Sequence, residues 1–90
     1  AILENGIHLD KQSHEMHHTL GITLFALGEF EESKNIFSRA IELRPNAWMT
    51  HYRHASACEA IGDINGAQSS YKMALHYNPN HYESRSKILL

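Results

Sequence analysis

Apolar residues crowd the stretch from His14 to Leu27, where Leu20, Gly21, Ile22, Leu24, Phe25, Ala26 and Leu27 cover more than one face of a helix. Such coverage predicts a helix buried on two sides. Ser13 stands where a hydroxyl would accept from the unpaired N–H groups of a first turn. Gly28 stands where a helix stops in the left-handed conformation, which is cheapest without a Cβ. Beyond it the pattern narrows. Phe30, Ser33, Phe37, Ala40, Ile41 and Arg44 recur at three- and four-residue spacing, one stripe of a second helix. Pro45 closes that helix, because proline disfavours the α region in the residue before it. Asn46 is available to cap the next. The cycle then restarts: a helix over Trp48 to Ile61, a stop at Gly62, a second helix over Ile64 to Tyr77, then Pro79. A further helical pattern runs from His81 to Leu90.

The two cycles are offset by 34 residues (62 − 28 and 79 − 45). The same offset pairs His17 with His51, Ala26 with Ala60, Phe37 with Tyr71, Ala40 with Ala74 and Asn46 with Asn80. A fixed period of this size signals stacked helical units, each burying its apolar face against the next. The predicted fold class is all-α: an α-α superhelix of antiparallel helix pairs, a solenoid fragment. Ile2, Leu3, Gly6, Ile7 and Leu9 align with Ile36, Phe37, Ala40, Ile41 and Leu43, with Lys11 in the proline's place. The expected division is therefore 1–12 as the tail of a preceding second helix, 14–47 and 48–81 as repeats, and 82–90 as the first helix of a following repeat or a capping helix. The chain reads as a piece of a longer array, its ends at Ile2, Leu3 and at Ile88, Leu89, Leu90 exposed.

These residues resemble the tetratricopeptide repeat (TPR), whose 34-residue pattern places a large residue, Leu-Gly, a bulky residue, a small residue, an aromatic, Ala and a closing Pro in order. The first repeat carries His17, Leu20-Gly21, Leu24, Gly28, Phe30, Ser33, Phe37, Ala40 and Pro45; the second carries His51, His54-Ala55, Cys58, Gly62, Ile64, Ala67, Tyr71, Ala74 and Pro79. The departures are histidine at the first large position of both repeats and His54 where Leu is usual. The resemblance implies a protein–protein interaction scaffold, not an enzyme, with a concave groove lined by the first helix of each pair.

With Leu20, Gly21 and Leu24 packed inward, the neighbouring stripe is Glu15, His18, Ile22 and Phe25. In the next unit it is Met49, Tyr52, Ser56 and Glu59, followed by Glu83. This surface is partly apolar and aromatic with an acidic edge. It suits a protein or peptide ligand carrying apolar side chains and a basic group, with Tyr52 as a large anchor. Some members of the family hold acidic chaperone tails with Lys, Asn and Arg. The matching positions here are His18, Ile22, Arg53, Glu83 and Lys87, a different set in which Glu83 repels an acidic tail. The alternative reading is homo-oligomeric self-association through the exposed stack ends.

Charge and composition narrow the classes further. A formal net charge of −2 over 90 residues leaves no basic stripe for nucleic acid or acidic lipid. No apolar run is long enough to span a bilayer. A single cysteine, Cys58, makes no internal disulfide, which favours a reducing compartment such as the cytoplasm or nucleus.

His14-Glu15-Met16-His17-His18 matches H-E-x-x-H, in which His14 and His18 would bind zinc and Glu15 would act as general base. The extended pattern's third histidine falls at Leu24, and the repeat already accounts for His17, Leu20 and Gly21. Catalysis is therefore not expected, and no cofactor or metal is assigned; a surface site of His14 and His18 is the remote alternative. His51 and His54 lie three apart and are expected to pack between helices as neutral rings, making the fragment less stable between about pH 6.5 and 5. Cys58 is expected to be a small buried hydrophobe.

Overall fold

The computed structural model describes the backbone of residues 2–88 and the side chains of residues 13–88. Five helices follow in order: α1 Ile2–Ala26, α2 Phe30–Leu43, α3 Trp48–Ala60, α4 Ile64–Tyr77 and α5 Tyr82–Lys87. No strand occurs among the described residues. Each helix packs on the next in sequence, and α1 also touches α3, so the first helices of successive pairs lie side by side. This is the stacked-pair architecture that the period predicts.

The two glycine stops share one backbone geometry. Gly28 has φ 84° and Gly62 φ 85°, both left-handed. After each, a backbone N–H reaches back five residues: Glu29 to the Leu24 carbonyl at 2.9 Å and Asp63 to the Cys58 carbonyl at 2.8 Å. These bonds satisfy carbonyls the helix ends leave open. At the other turn, Arg44 (φ −146°, ψ 90°) and Asn78 (φ −137°, ψ 82°) are extended ahead of Pro45 and Pro79. Glu31 and Glu32 lie in the first turn of α2, where carboxylates suit the helix dipole.

The core is built on two aromatic rings wedged among small residues. Phe37, Ala40, Ala67, Tyr71 and Ala74 are all buried, with Ala55, Ala57 and Cys58. Gly21 lets α1 close onto α2: a Cβ there would lie 2.5 Å from the Phe37 ring. The Ser33 hydroxyl locks the same contact, donating to the Gly21 carbonyl at 2.8 Å.

Several expectations are corrected. Helix α1 runs unbroken through residue 13, so Ser13 caps nothing and no turn marks the boundary between 1–12 and 14–47. Lys11 keeps the N–H and the free φ that a proline lacks, so nothing at that position stops the helix. Asn46 lies in a turn; the cap position of α3 is Ala47 and has no side-chain bond. Helix α5 ends at Lys87, short of the expected 82–90. Ile88 is not an exposed end, because it packs on the cluster of Ala55, Cys58, Ala67 and Tyr71. Leu20 does not pack inward but is 45% exposed. The side chains of Ile2 and Leu3, and all of Leu89 and Leu90, lie outside the described residues.

Candidate functional site: the face between α1 and α3

The face shared by α1 and α3 holds two adjoining compartments. One, of about 240 Å³, is lined by Ile22 and Phe25 from α1, Tyr52, Arg53 and Ser56 from α3, and Phe37 from α2. The other, of about 340 Å³, is lined by His14, Glu15, His18 and Thr19 of α1 and by Arg44, Ala47, Met49 and Thr50 around the start of α3. The first carries one charged residue, Arg53; the second carries Glu15, Arg44 and two histidines. A larger concavity, about 630 Å³, lies elsewhere, on the outer face of α1 at Met16, His17, Leu20 and Thr23. Only one element lines it among the described residues, whereas the α1–α3 face draws on three.

The stripe Glu15, His18, Ile22, Phe25, Met49, Tyr52, Ser56, Glu59, Glu83 is thus divided by the structure. Ile22, Phe25, Tyr52 and Ser56 share the first compartment, and Glu15, His18 and Met49 share the second. Glu59 and Glu83 line neither. Glu59 accepts from the Tyr71 hydroxyl at 3.1 Å and pairs with Lys87 at 3.5 Å. Glu83 accepts from the Tyr52 hydroxyl at 2.6 Å. That bond, ahead of burial, raises the Tyr52 pKa. Burial pushes Tyr71 up to about 12. Both phenols therefore stay protonated as donors.

Several side chains serve packing and lining at once. Phe25 meets Phe30 edge-on at 4.9 Å between ring centroids, and Tyr52 lies 6.0 Å from Tyr71 and 4.8 Å from His81. His18 ties α1 to α3 through a 2.9 Å hydrogen bond with Thr50, stacks on His14 and meets Phe37 edge-on. Burial first, then the charges of His14 and Arg53, lowers its pKa. Phe37 as floor and Arg53 as lining were not in the sequence stripe. Arg53 follows Met49 by four residues and precedes Ser56 by three, so a slightly wider stripe on α3 includes it.

The two histidines of H-E-x-x-H, His14 and His18, each bond a neighbouring element. His14 is buried and its Nδ1–H donates to the Ala40 carbonyl at 3.0 Å, bridging α1 and α2. His18 in turn bonds Thr50 through its own Nδ1, so one ring nitrogen of each histidine takes part in the packing between helices. His51 donates from Nε2 to the Pro45 carbonyl at 2.7 Å. His54 spans three helices: Nε2 is 3.0 Å from the Ser38 hydroxyl on α2 and Nδ1 is 2.6 Å from the Ser70 hydroxyl on α4. A neutral ring has one donor and one acceptor, so one serine donates to it and the other accepts. Burial, then Lys34 and His51, lowers its pKa to about 4 against a smaller opposing effect of Asp63. Cys58 is buried 3.8 Å from His54 Nδ1, and burial raises its pKa, which keeps the thiol uncharged and unreactive.

A family profile described as Tetratricopeptide repeat matches residues 14–47. Over 70 residues the chain is 33% identical to the tetratricopeptide repeat and J domain-containing co-chaperone DNJ1 of Cryptococcus neoformans var. grubii, a match covering 73% of this chain. The chain belongs to the tetratricopeptide repeat family. It aligns with 13% of that relative's length. The TPR pattern accounts for the small residues at Gly21, Ala40, Ala55, Ala67 and Ala74 and for the rings of Phe37 and Tyr71. It does not account for the histidines at the seams, which belong to this chain's own sequence. Among the described residues no helix is long and apolar enough to cross a membrane.

Proposed function

We propose that this TPR unit is a non-catalytic scaffold that binds a peptide or helix of a partner protein along the α1–α3 face. The observation supporting the reading is the shared compartment. Ile22 and Phe25 from one first helix and Tyr52 and Ser56 from the next converge over Phe37 in a space of about 240 Å³. Large apolar and aromatic anchors seated in such pockets carry most of the energy of protein recognition. A co-chaperone among its relatives is consistent with protein ligands, and a cytoplasmic setting suits the single reduced cysteine. Filling the pocket tests the reading. Ser56→Phe places a ring in the compartment and gives up the hydroxyl's bonds to the Tyr52 carbonyl and to Tyr71, so its fold is checked first. Partners captured by the native protein and lost by this variant, with unchanged circular dichroism, are expected; an identical partner list on both overturns the reading.

A second reading has its own observation. Met16 is 67% and Leu20 45% exposed on α1, while of the residues 34 positions on, Thr50 is buried and His54 bonds Ser38 of α2. The outer face of α1 is therefore a stacking face, which another copy would cover in self-association. Light scattering that finds a monomer at all concentrations, or no effect of Leu20→Lys on a dimer, discards it.

A further inference from the structure

We infer that His14, His18 and Met49 form a copper(I) site in the second α1–α3 compartment, with the two imidazole Nε2 atoms and the Met49 thioether as ligands. The inference is independent of the groove reading, which concerns the neighbouring compartment. It starts from what holds the two rings. The Nδ1–H of His14 donates to the Ala40 carbonyl at 3.0 Å, and Nδ1 of His18 lies 2.9 Å from the Thr50 hydroxyl. Metal-binding histidines are held in this way, the second ring nitrogen bonded to an oxygen that fixes the tautomer and aims the ring. In His14 the donating Nδ1 leaves Nε2 with the lone pair, and a hydroxyl that accepts from Nδ1 does the same for His18. Among the described residues neither Nε2 has a hydrogen bond, and neither is sealed from solvent.

The two rings share one space. His14 and His18 stand one helical turn apart, stacked with centroids 6.1 Å apart and planes inclined by 29°. Two metal–nitrogen bonds of about 2 Å span up to about 4 Å between nitrogens, so small side-chain rotations bring both onto one ion. Both rings line the compartment of about 340 Å³, together with Met49 from the start of α3. Met49 is 46% exposed, and its unbranched side chain is free to turn inward. The donor set decides the metal. Among the described residues no third His, Cys, Asp or Glu joins the pair, so the four-ligand set of structural zinc is not assembled. A thioether is a soft ligand that selects copper(I), and imidazole suits copper as well. Charge agrees with a monovalent ion. Glu15 and Arg44 line the same compartment with opposite signs, leaving no net negative charge to favour a dication.

Anaerobic competition with a chromophoric copper(I) chelator tests this, each variant first checked by circular dichroism. The native protein should take one copper(I). Met49→Leu, and Thr50→Val as the loss of the hydroxyl that aims His18, should each weaken binding about 10–100-fold, and His18→Gln should abolish it. Ser56→Phe, in the neighbouring compartment, should bind copper as the native protein does. Nitrogen NMR of the native protein gives a readout that needs no variant: copper(I) should shift the ring nitrogens of His14 and His18 and leave the other histidines in place. No binding, equal binding by folded His18→Gln, or shifts confined to other histidines overturns the site. Loss in His18→Gln with no change in Met49→Leu overturns the thioether ligand and, with it, copper(I) as the metal.

Discussion

His54 shows how one side chain can replace an apolar contact in a repeat. Where the family usually places Leu, this ring joins Ser38, Ser70 and the buried Cys58. Its folded pKa of about 4 lies below the unfolded value of about 6.5. The unfolded chain therefore takes up the proton first, and the ring's contribution, full above about pH 6.5, is lost as pH falls toward 4. Melting temperatures should decline across that window in the native protein and decline less in His54→Leu; parallel curves would contradict this. Gly21 gives a second test. Its missing Cβ is the space the Phe37 ring occupies, so Gly21→Ala should cost about 1–3 kcal/mol by overpacking. Urea denaturation of Gly21→Ala, Phe37→Leu and the double variant should show the alanine costing less beside leucine. Phe37→Ala alone, at a fully buried site, should cost about 3–5 kcal/mol.

At the scale of the element, the glycine stops and the proline exits set helix length, and caps contribute unevenly. Asp63 accepts from the Gly66 N–H at 3.0 Å and starts α4 firmly, while Glu29 and Ala47 start α2 and α3 without a side-chain bond. Gly28 has open space around its Cβ position, so Gly28→Ala isolates the backbone term of a positive φ. Thermal denaturation should report a loss of about 1–2 kcal/mol. Gly62→Ala should lose a similar amount, because the two turns share one geometry; a large difference would show that their surroundings matter more than the backbone.

Over the whole molecule, cooperation passes from pair to pair. Helix α3 packs against both α2 and α4, while α5 has six residues, packs on α4 and reaches α3 through Glu83 with Tyr52 and Lys87 with Glu59. Native-state hydrogen exchange should find α3 amides the slowest and α5 amides the fastest among helices α2 to α5, as nearest-neighbour stacking requires. Uniform protection would mean that the stack opens as one unit. The same ladder brings α1 beside α3 and so forms the groove, with residues more than 25 positions apart in one wall.

The 34-residue period, the glycine and proline punctuation and the alternation of large and small residues by themselves determined the helix pairs, their stacking and the buried rings, because each of these is a local or nearest-neighbour property. Ile22, Phe25, Tyr52 and Ser56 were legible as one face for the same reason. The partners of charged and titratable side chains were decided only by the tertiary structure. Whether Glu59 and Glu83 face a ligand or bind Tyr71 and Tyr52, whether His14 is a surface ligand or a buried seam, and whether Arg53 is left unpaired depend on atoms within about 3 Å contributed by other helices. Helical spacing states which face a residue occupies, but a hydrogen bond is settled by distance and direction, which exist only once the helices have packed.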